Sequence, residues 1–122
     1  MEISLDKSSG QYQITSYSEG QITINGINYV SPLVVSLDDL SQTGLPHKVD
    51  EINEDLLKSL NIQQYEAVLL GTGVELKHPS WELIEAAQMM GAPLEVMSTG
   101  AACRTFTILA SEGRQILAIL YP

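Results

Sequence analysis

The sequence predicts an α/β fold with a largely parallel or mixed β-sheet, in a single domain of residues 1–122. The first half consists of short strand-like runs broken by turn residues, and the second half alternates apolar runs with amphipathic helical segments. Alternation of this kind places helices on the faces of a sheet. A chain of 122 residues has the length of one domain and is too short for two ordinary ones.

The first half is predicted to contain strands joined by tight turns. Residues 12–17 alternate in the manner of a strand. Asn25-Gly26 lies between two β-rich runs, and this dipeptide is a strong hairpin signal because both turn residues must take positive φ. Pro32 then interrupts the pattern, and residues 33–36 are predicted to form a further strand.

Residues 38–52 are predicted to form a loop with a short extended piece near Val49, because they contain Gly44, Pro46 and several acids. A short helix is predicted to follow, since Asn53 is a good N-cap and the acids after it favour the positive end of the helix dipole. The apolar face of this helix consists of Leu56, Leu57 and Leu60.

The second half begins with a continuous apolar run at residues 67–70, which is typical of a strand covered on both faces. A helix is predicted over about residues 80–90, ended by Gly91, and a second strand over residues 94–97. The last run, residues 115–121, is so apolar that it is expected at the centre of the sheet.

A helix is predicted between these last two strands, with Thr99 as its N-cap and Gly113 at its end. One alternative stays open, in which residues 105–110 and 115–121 form a hairpin around a turn at residues 111–114. The helix is preferred because its apolar residues follow the spacing i, i+4, i+7, i+8.

The acidic composition argues against several classes of partner. The chain has 15 acidic residues against 6 basic ones, with a formal net charge of -9. Nucleic-acid binding needs a clustered basic surface that displaces counterions, and the basic residues are scattered, so no nucleic-acid partner is expected. An anionic membrane surface is disfavoured for the same reason. No membrane insertion is expected, because the longest apolar run, at residues 116–121, is far too short to span a bilayer.

The predicted location is cytoplasmic. The N-terminus carries Glu2 and Asp6 and has neither the basic region nor the apolar region of a signal peptide. Its lack of arginine also differs from a mitochondrial presequence. Cys103 is the single cysteine, so no internal disulfide can form, which fits a reducing compartment.

The second half contains several short segments in a characteristic order and spacing. They are LLGTG at residues 69–73, Pro79, EVMST at 95–99, AACRTF at 101–106 and EGR at 112–114. Together they resemble the Mth-type domain family, and the similarity covers nearly the whole chain. That family was defined as a domain of unknown function, and its members include a mitochondrial complex I assembly factor and an adipogenesis-associated protein.

The resemblance implies a three-layer α/β fold, with a central mixed, largely parallel sheet and an added N-terminal β-hairpin layer. It implies no established enzymatic activity. The mitochondrial member acts through protein contacts in respiratory complex assembly, but its mitochondrial role is not carried over, because the chain shows no targeting presequence. The first functional hypothesis is therefore a non-enzymatic protein-interaction or assembly-factor-like role with a protein partner.

The first candidate site is the loop Gly71-Thr72-Gly73, at the predicted end of a strand. Glycines let backbone amides approach an anion closely, and ligands of α/β sheets tend to bind beyond the carboxyl ends of strands. The loop has no Walker lysine and no third glycine at dinucleotide-binding spacing, so it is not a specific nucleotide motif. The alternative is a tight strand-to-loop turn without a ligand.

The second candidate site is the predicted helix start with Thr99, Gly100 and Arg104. The free amides of a first helical turn attract anions, and Arg104 could add a positive charge one turn into the helix. The alternative is a surface ion pair between Arg104 and one of the many acids. If the two strands run parallel, both candidate sites share one sheet edge. The second functional hypothesis is therefore a small anionic-ligand binder or enzyme.

No catalytic residue, metal site or cofactor is predicted. Cys103 lies beside an arginine and could be nucleophilic, but catalysis also needs a base. The two histidines, His47 and His78, lie in or near loops, and no triad order can be argued from them. Packing of a small buried thiol is the preferred interpretation of Cys103. One cysteine and two distant histidines offer no metal-ligand spacing.

Overall fold

The structure is a computed structural model and describes residues 11–122. The predictions that rest on Glu2 and Asp6 lie outside this range. The strands of the described part are β1 (Ile14–Ser18), β2 (Gln21–Ile24), β3 (Ile27–Tyr29), β4 (Leu33–Ser36), β5 (Leu40–Ser41), β6 (Ala67–Gly71), β7 (Leu94–Met97) and β8 (Ile116–Leu120). The helices are α1 (Glu54–Ser59), α2 (Trp81–Met89) and α3 (Thr99–Ser111), with short 3-10 turns at Val49–Glu51 and Ile62–Gln64.

The central sheet has the strand order β5-β4-β8-β6-β7. β6 runs parallel to both β7 and β8, whereas β4 runs antiparallel to β5 and β8. The sheet is therefore mixed, as predicted, but its parallel part is confined to β8, β6 and β7. For β4 and β5 the antiparallel pairing follows from their short connection, which is too short for a parallel crossover. The apolar β8 is the middle strand, which confirms its predicted central position.

The sheet is covered on both faces, so its strands are apolar at successive positions. In β8, Leu117 and Ile119 point to the face that carries α1 and α2. Ile116, Ala118 and Leu120 point to the opposite face, where they pack with residues of α3 and of the N-terminal strands. Two buried clusters thus lie on either side of one sheet, and the predicted three-layer arrangement is confirmed.

The N-terminal layer is a three-stranded antiparallel sheet of order β1-β2-β3. The predicted hairpin turn at Asn25-Gly26 joins β2 to β3, with φ of 50° and 81° at the two residues. The Asn25 side-chain oxygen accepts a hydrogen bond from the Gln13 amide at 2.9 Å, which ties the turn to the segment before β1. Ile22 and Ile24 of β2 are fully buried against the central sheet.

The segment predicted as a loop, residues 38–52, contains regular structure at two places. The Ser36 amide donates to the Asp39 carbonyl oxygen at 2.8 Å, and the Asp39 amide donates to the Ser36 hydroxyl at 3.2 Å. This tight turn returns Leu40–Ser41 along β4 as the edge strand β5. Near Val49 the chain forms a 3-10 turn, not the predicted extended piece, because the turn directs the Val49 side chain into the core.

Side-chain caps begin α1 and α2. The Asn53 side-chain oxygen accepts a hydrogen bond from the Leu56 amide at 3.0 Å, which confirms the predicted cap. The Ser80 hydroxyl accepts one from the Leu83 amide at 3.1 Å and begins α2. Each cap satisfies an amide that the first helical turn leaves without a partner.

The segment after β7 is a helix, so the alternative hairpin with residues 105–110 as a strand is wrong. The predicted cap is also wrong, because α3 is capped by Ser98 and not by Thr99. The Ser98 hydroxyl accepts a hydrogen bond from the Ala101 amide at 3.3 Å. Thr99 is unavailable as a cap because its hydroxyl is turned into the protein, toward the carbonyl oxygen of Tyr121.

Candidate functional site

The carboxyl ends of β6, β7 and β8 meet at one edge of the central sheet, called here the carboxyl edge. In the parallel registers Gly71 of β6 pairs with Met97 of β7 and with Leu120 of β8. The two candidate loops, after β6 and after β7, therefore lie side by side, as predicted for parallel strands. Ligands of α/β proteins usually bind at such an edge.

Thr99 is fully buried between the strand ends. Its hydroxyl donates a hydrogen bond to the Tyr121 carbonyl oxygen at 2.6 Å and accepts one from the Gly73 amide at 2.7 Å. The Thr99 amide donates to the Gly73 carbonyl oxygen at 2.9 Å. The amides of Gly73 and Thr99 are thus engaged inside the protein, where they hold the carboxyl edge to the start of α3.

Thr72 organises the loop that follows β6. It is buried, and its hydroxyl donates to the Glu75 carbonyl oxygen at 2.8 Å and accepts from the Lys77 amide at 2.9 Å. The Thr72 amide donates to the Met97 carbonyl oxygen at 3.0 Å, which extends the pairing of β6 and β7 by one residue. One side chain therefore sets the path of the backbone from residue 72 to residue 77.

Gly71 is required by close packing at the carboxyl edge. A Cβ atom at this position would lie 3.0 Å from the Thr99 Cα, the Thr99 Oγ1 and the Leu120 Cδ2. Gly73 is required by its conformation, since its φ is 109°. Both glycines of the Gly71-Thr72-Gly73 loop thus have a structural requirement.

Gly100 and Arg104 face a different concavity from the Gly71-Thr72-Gly73 loop. They line a cavity of about 480 Å³ between α3 and β1. Within residues 11–122 no carboxylate lies within 4.0 Å of the Arg104 guanidinium, so the ion pair considered as its alternative is not formed there. The structure therefore brings Gly71, Thr72, Gly73 and Thr99 together and turns Gly100 and Arg104 to the other side of α3.

Tyr17 of β1 completes the cavity beside Arg104. A Cβ atom at Gly100 would lie 3.4 Å from the Tyr17 ring and 3.5 Å from the Arg104 Nη1, so glycine leaves room for both groups over the first turn of α3. Sequence reasoning missed Tyr17 because it belongs to a distant strand of the N-terminal layer.

A larger cavity of about 780 Å³ opens at the carboxyl edge, and we call it the edge cavity. Both histidines of the chain and two of its lysines line it. The lining residues are Glu19, His47, Lys48, Val49, Asp50, Thr72, Gly73, Val74, Glu75, Lys77, His78, Tyr121 and Pro122. Sequence reasoning treated the basic residues as scattered, although His47-Lys48 and Lys77-His78 form two basic dipeptides that could have been noticed.

Tyr121, directly after β8, reaches across to the loop that precedes the first 3-10 turn. Its hydroxyl donates a hydrogen bond to the Pro46 carbonyl oxygen at 3.1 Å. Burial, with a smaller contribution from Glu51, raises the pKa of Tyr121 from 10.0 to about 12. The hydroxyl therefore keeps its proton, and its role as a donor, throughout the physiological pH range.

Cys103 is buried in the core cluster formed with the N-terminal layer. Burial raises the pKa of the Cys103 thiol to about 11, and the nearby Arg104 offsets this only in part. A neutral thiol in this position supports the packing interpretation over a nucleophilic one. Among residues 11–122 no group of His, Cys, Asp and Glu side chains is arranged to hold a metal ion.

Over most of its length the chain matches a known protein family. Residues 14–121 match the family model described as "Protein of unknown function (DUF498/DUF598)". NADH dehydrogenase (ubiquinone) 1 alpha subcomplex assembly factor 3 of Danio rerio is 34% identical over 110 residues, which cover 89% of this chain and 63% of that protein. The chain therefore spans less than two thirds of the length of that relative. A "13 kDa major membrane protein" of Francisella tularensis is 27% identical, with 85% of each chain covered.

Solved structures confirm the fold. A Bordetella parapertussis protein has a TM-score of 0.82 at 26% identity, with 93% of this chain and 97% of that chain covered. A Bordetella pertussis protein described as an Mth938-like domain has a TM-score of 0.74 at 21% identity, with 94% and 87% covered. The matches to the family model and to the assembly factor, together with this shared fold, confirm the resemblance to the Mth-type family. In the part of the chain that the structure describes, no helix has the length and apolar character needed to cross a bilayer.

Proposed function

The chain belongs to the DUF498/DUF598 family, and from this membership we propose that it is a non-enzymatic protein-interaction domain of the assembly-factor kind. The kinship with a protein named as an assembly factor supports this role, because the matched part covers most of the present chain. A cytoplasmic location belongs to the same proposal.

The observation that carries the proposal is the set of exposed apolar side chains in residues 74–81, which run from the loop after β6 to the first residue of α2 and which we call the 74–81 segment. Val74 is 53% exposed, Leu76 is 52% exposed and Trp81 is 75% exposed. Three large apolar side chains within eight residues of sequence expose apolar surface to water, and apolar patches on a surface mark interaction sites. Tryptophan is also among the residues that most often dominate binding energy at protein interfaces.

Charge defines the partner that fits this segment. The 74–81 segment contains Glu75 as well as Lys77 and His78, and Glu82 follows it, but the chain as a whole carries a formal net charge of -9. Complementary potentials steer association and suppress wrong partners. The partner surface is therefore an apolar patch flanked by lysine or arginine.

Affinity capture from cells of the source organism tests this role, with bound proteins quantified by mass spectrometry and mapped by cross-linking. We expect one protein to be retained by the wild-type chain and lost with Trp81→Ser, because removing an interface tryptophan often costs about 2 kcal/mol or more. Cross-links should map to an apolar patch with lysine or arginine at its border, and binding should weaken as salt increases.

Ile108→Ser is the matched control, since Ile108 is 59% exposed on α3, away from the 74–81 segment. It should retain the partner. Equal retention by wild type, Trp81→Ser and Ile108→Ser would show that the 74–81 segment is not the docking surface.

A second candidate function is binding of a small anionic ligand, or an enzyme activity, at the cavity between α3 and β1. Of the residues predicted from the sequence, only Gly100 and Arg104 line this cavity, and the Arg104 guanidinium supports the proposal. That group lines a cavity and has no carboxylate within 4.0 Å among the described residues. Thermal shift measurements with phosphate, carboxylates and nucleotides test it. A stabilisation that Arg104→Ala removes is the expected result, and an unchanged melting temperature with every ligand would refute it.

A further inference from the structure

The edge cavity has the position and the size of a small-molecule site. It lies beyond the carboxyl ends of β6 and β8, with Thr72, Gly73 and Tyr121 among its lining residues. Its volume of about 780 Å³ lies within the usual range for ligand pockets, about 300–1,000 Å³. Ligands of α/β sheets bind at this kind of edge.

Two basic dipeptides from separate loops line the edge cavity. His47-Lys48 precedes the first 3-10 turn, and Lys77-His78 lies between β6 and α2. The chain has only 6 lysines and arginines and 2 histidines. Two of these lysines and both histidines line this one cavity.

Among the described residues, the two lysines of the cavity are not engaged with acidic side chains. Within residues 11–122 no carboxylate lies within 4.0 Å of the ammonium group of Lys48 or Lys77. By contrast, Lys58 and Arg114 each pair with a glutamate, at 3.6 Å and 3.2 Å. The cavity lysines therefore have their donors available for a ligand, even though the chain is rich in acids.

Each dipeptide is held in place by a hydroxyl at the end of a neighbouring sheet strand. Thr72, after β6, accepts a hydrogen bond from the backbone amide of Lys77 at 2.9 Å. Tyr121, after β8, donates one to the carbonyl oxygen of Pro46, next to His47, at 3.1 Å. Both loops are thus anchored to the central sheet, which reduces the ordering cost of binding.

Glu19, Asp50 and Glu75 also line the edge cavity, so it presents charges of both signs. Because the chain also carries a net charge of -9, this cavity does not suit an extended polyanion. It suits a small molecule whose oxyanion contacts the lysines and histidines while its hydroxyl or amino groups contact the carboxylates.

From this arrangement we propose that the edge cavity binds a small ligand bearing a carboxylate or phosphate group, held between His47-Lys48 and Lys77-His78. The site overlaps the 74–81 segment, because Val74, Glu75, Lys77 and His78 line the edge cavity, but the exposed side chains of Leu76 and Trp81 are not among its lining residues. It shares only Thr72 and Gly73 with the strand-end site predicted from the sequence, and it does not use Arg104.

An NMR titration of the ¹⁵N-labelled chain with inorganic phosphate, and separately with citrate, tests the proposal. Both probes should shift the resonances of residues 47–48 and 77–78, whereas sodium chloride at matched ionic strength should not. Lys48→Gln and Lys77→Gln should each weaken binding about tenfold, the usual effect of losing one charge-assisted hydrogen bond. If citrate saturates the site and phosphate does not, the site is a carboxylate site. If phosphate saturates it and citrate does not, the site is a phosphate site.

Lys58→Gln is the matched control, because it removes the same charge from α1 outside the cavity, and it should leave affinity unchanged. Tyr121→Phe keeps the aromatic ring and the net charge but removes the anchor on Pro46, and it should weaken binding severalfold. Absence of shifts at residues 47–48 and 77–78 with both probes would overturn the proposal. Equal weakening by Lys58→Gln and Lys48→Gln would also overturn it, since only the net charge would then matter.

Discussion

Thr99 and Gly73 exchange hydrogen bonds across the carboxyl edge of the sheet: the Gly73 amide donates to the Thr99 hydroxyl at 2.7 Å, and the Thr99 amide donates to the Gly73 carbonyl oxygen at 2.9 Å. The same hydroxyl donates to the Tyr121 carbonyl oxygen at 2.6 Å. A single buried side chain thus joins the residues that follow β6 and β8 to the first turn of α3.

Removing this hydroxyl should destabilise the protein. Thr99→Val removes the hydroxyl that is the hydrogen-bond partner of the Gly73 amide and of the Tyr121 carbonyl oxygen, and it leaves both groups unpaired inside the protein. The free energy of unfolding should fall by about 1–3 kcal/mol. Urea unfolding with an unchanged m-value measures this loss. Thr99→Ser keeps the hydroxyl and loses one methyl group, so it should cost only about 0.8 kcal/mol. Equal stability of Thr99→Val and wild type would show that the hydrogen bonds contribute nothing.

Gly71→Ala should be strongly unfavourable, because the added Cβ would meet backbone and side-chain atoms of Thr99 and the Leu120 side chain at 3.0 Å. Overpacking of this kind costs about 1–3 kcal/mol, which a shift of the urea midpoint would report. Gly100→Ala is the contrasting variant. Its Cβ would meet neighbours at 3.4 Å or more, and alanine has the higher helix propensity, by at most about 1 kcal/mol at this position in the first turn, so stability should be retained or slightly increased. Similar losses in both variants would contradict the packing argument.

The buried Cys103 thiol should make stability fall at alkaline pH. Its pKa is raised from 9.0 to about 11, so between these values the unfolded chain has lost a proton that the folded chain still holds. Stability therefore decreases as pH rises through this window. Tyr121, with its pKa raised from 10.0 to about 12, acts in the same direction at higher pH. Unfolding free energies measured at pH 9 and pH 11 should show a smaller decrease for Cys103→Ala than for wild type.

The same thiol should react slowly with iodoacetamide in the folded chain and rapidly in urea, because the thiolate is the reactive form. Fast alkylation under native conditions, or an unchanged pH dependence in Cys103→Ala, would contradict burial as the cause of the raised pKa.

Much of the fold could be predicted because its signals are local. Asn25-Gly26 specifies its turn through positive φ at both residues, and Asn53 caps its helix through a hydrogen bond three residues away. The uninterrupted apolar character of β6 and β8 indicates burial on both faces. The turn that creates β5 was missed, because a reversal held by Ser36 and Asp39 has no glycine or proline to mark it.

The site was less predictable, because it depends on which residues the sheet brings together. Ser98 and Thr99 are equally suitable as caps by their local chemistry, and only the position of the Tyr121 carbonyl oxygen draws Thr99 inward. Arg104 follows Gly100 by one helical turn, yet packing against β1 directs both toward the other side of α3.

By itself, the sequence determined the α/β class, the burial of the central strands, the hairpin turn and the family, since these depend on residue type and on near neighbours in the chain. Only the tertiary structure decided that His47-Lys48 and Lys77-His78 line one cavity. They do so because β6 and β8, distant in sequence, are adjacent and parallel in the sheet, so that the loops anchored by Thr72 and Tyr121 flank the same edge.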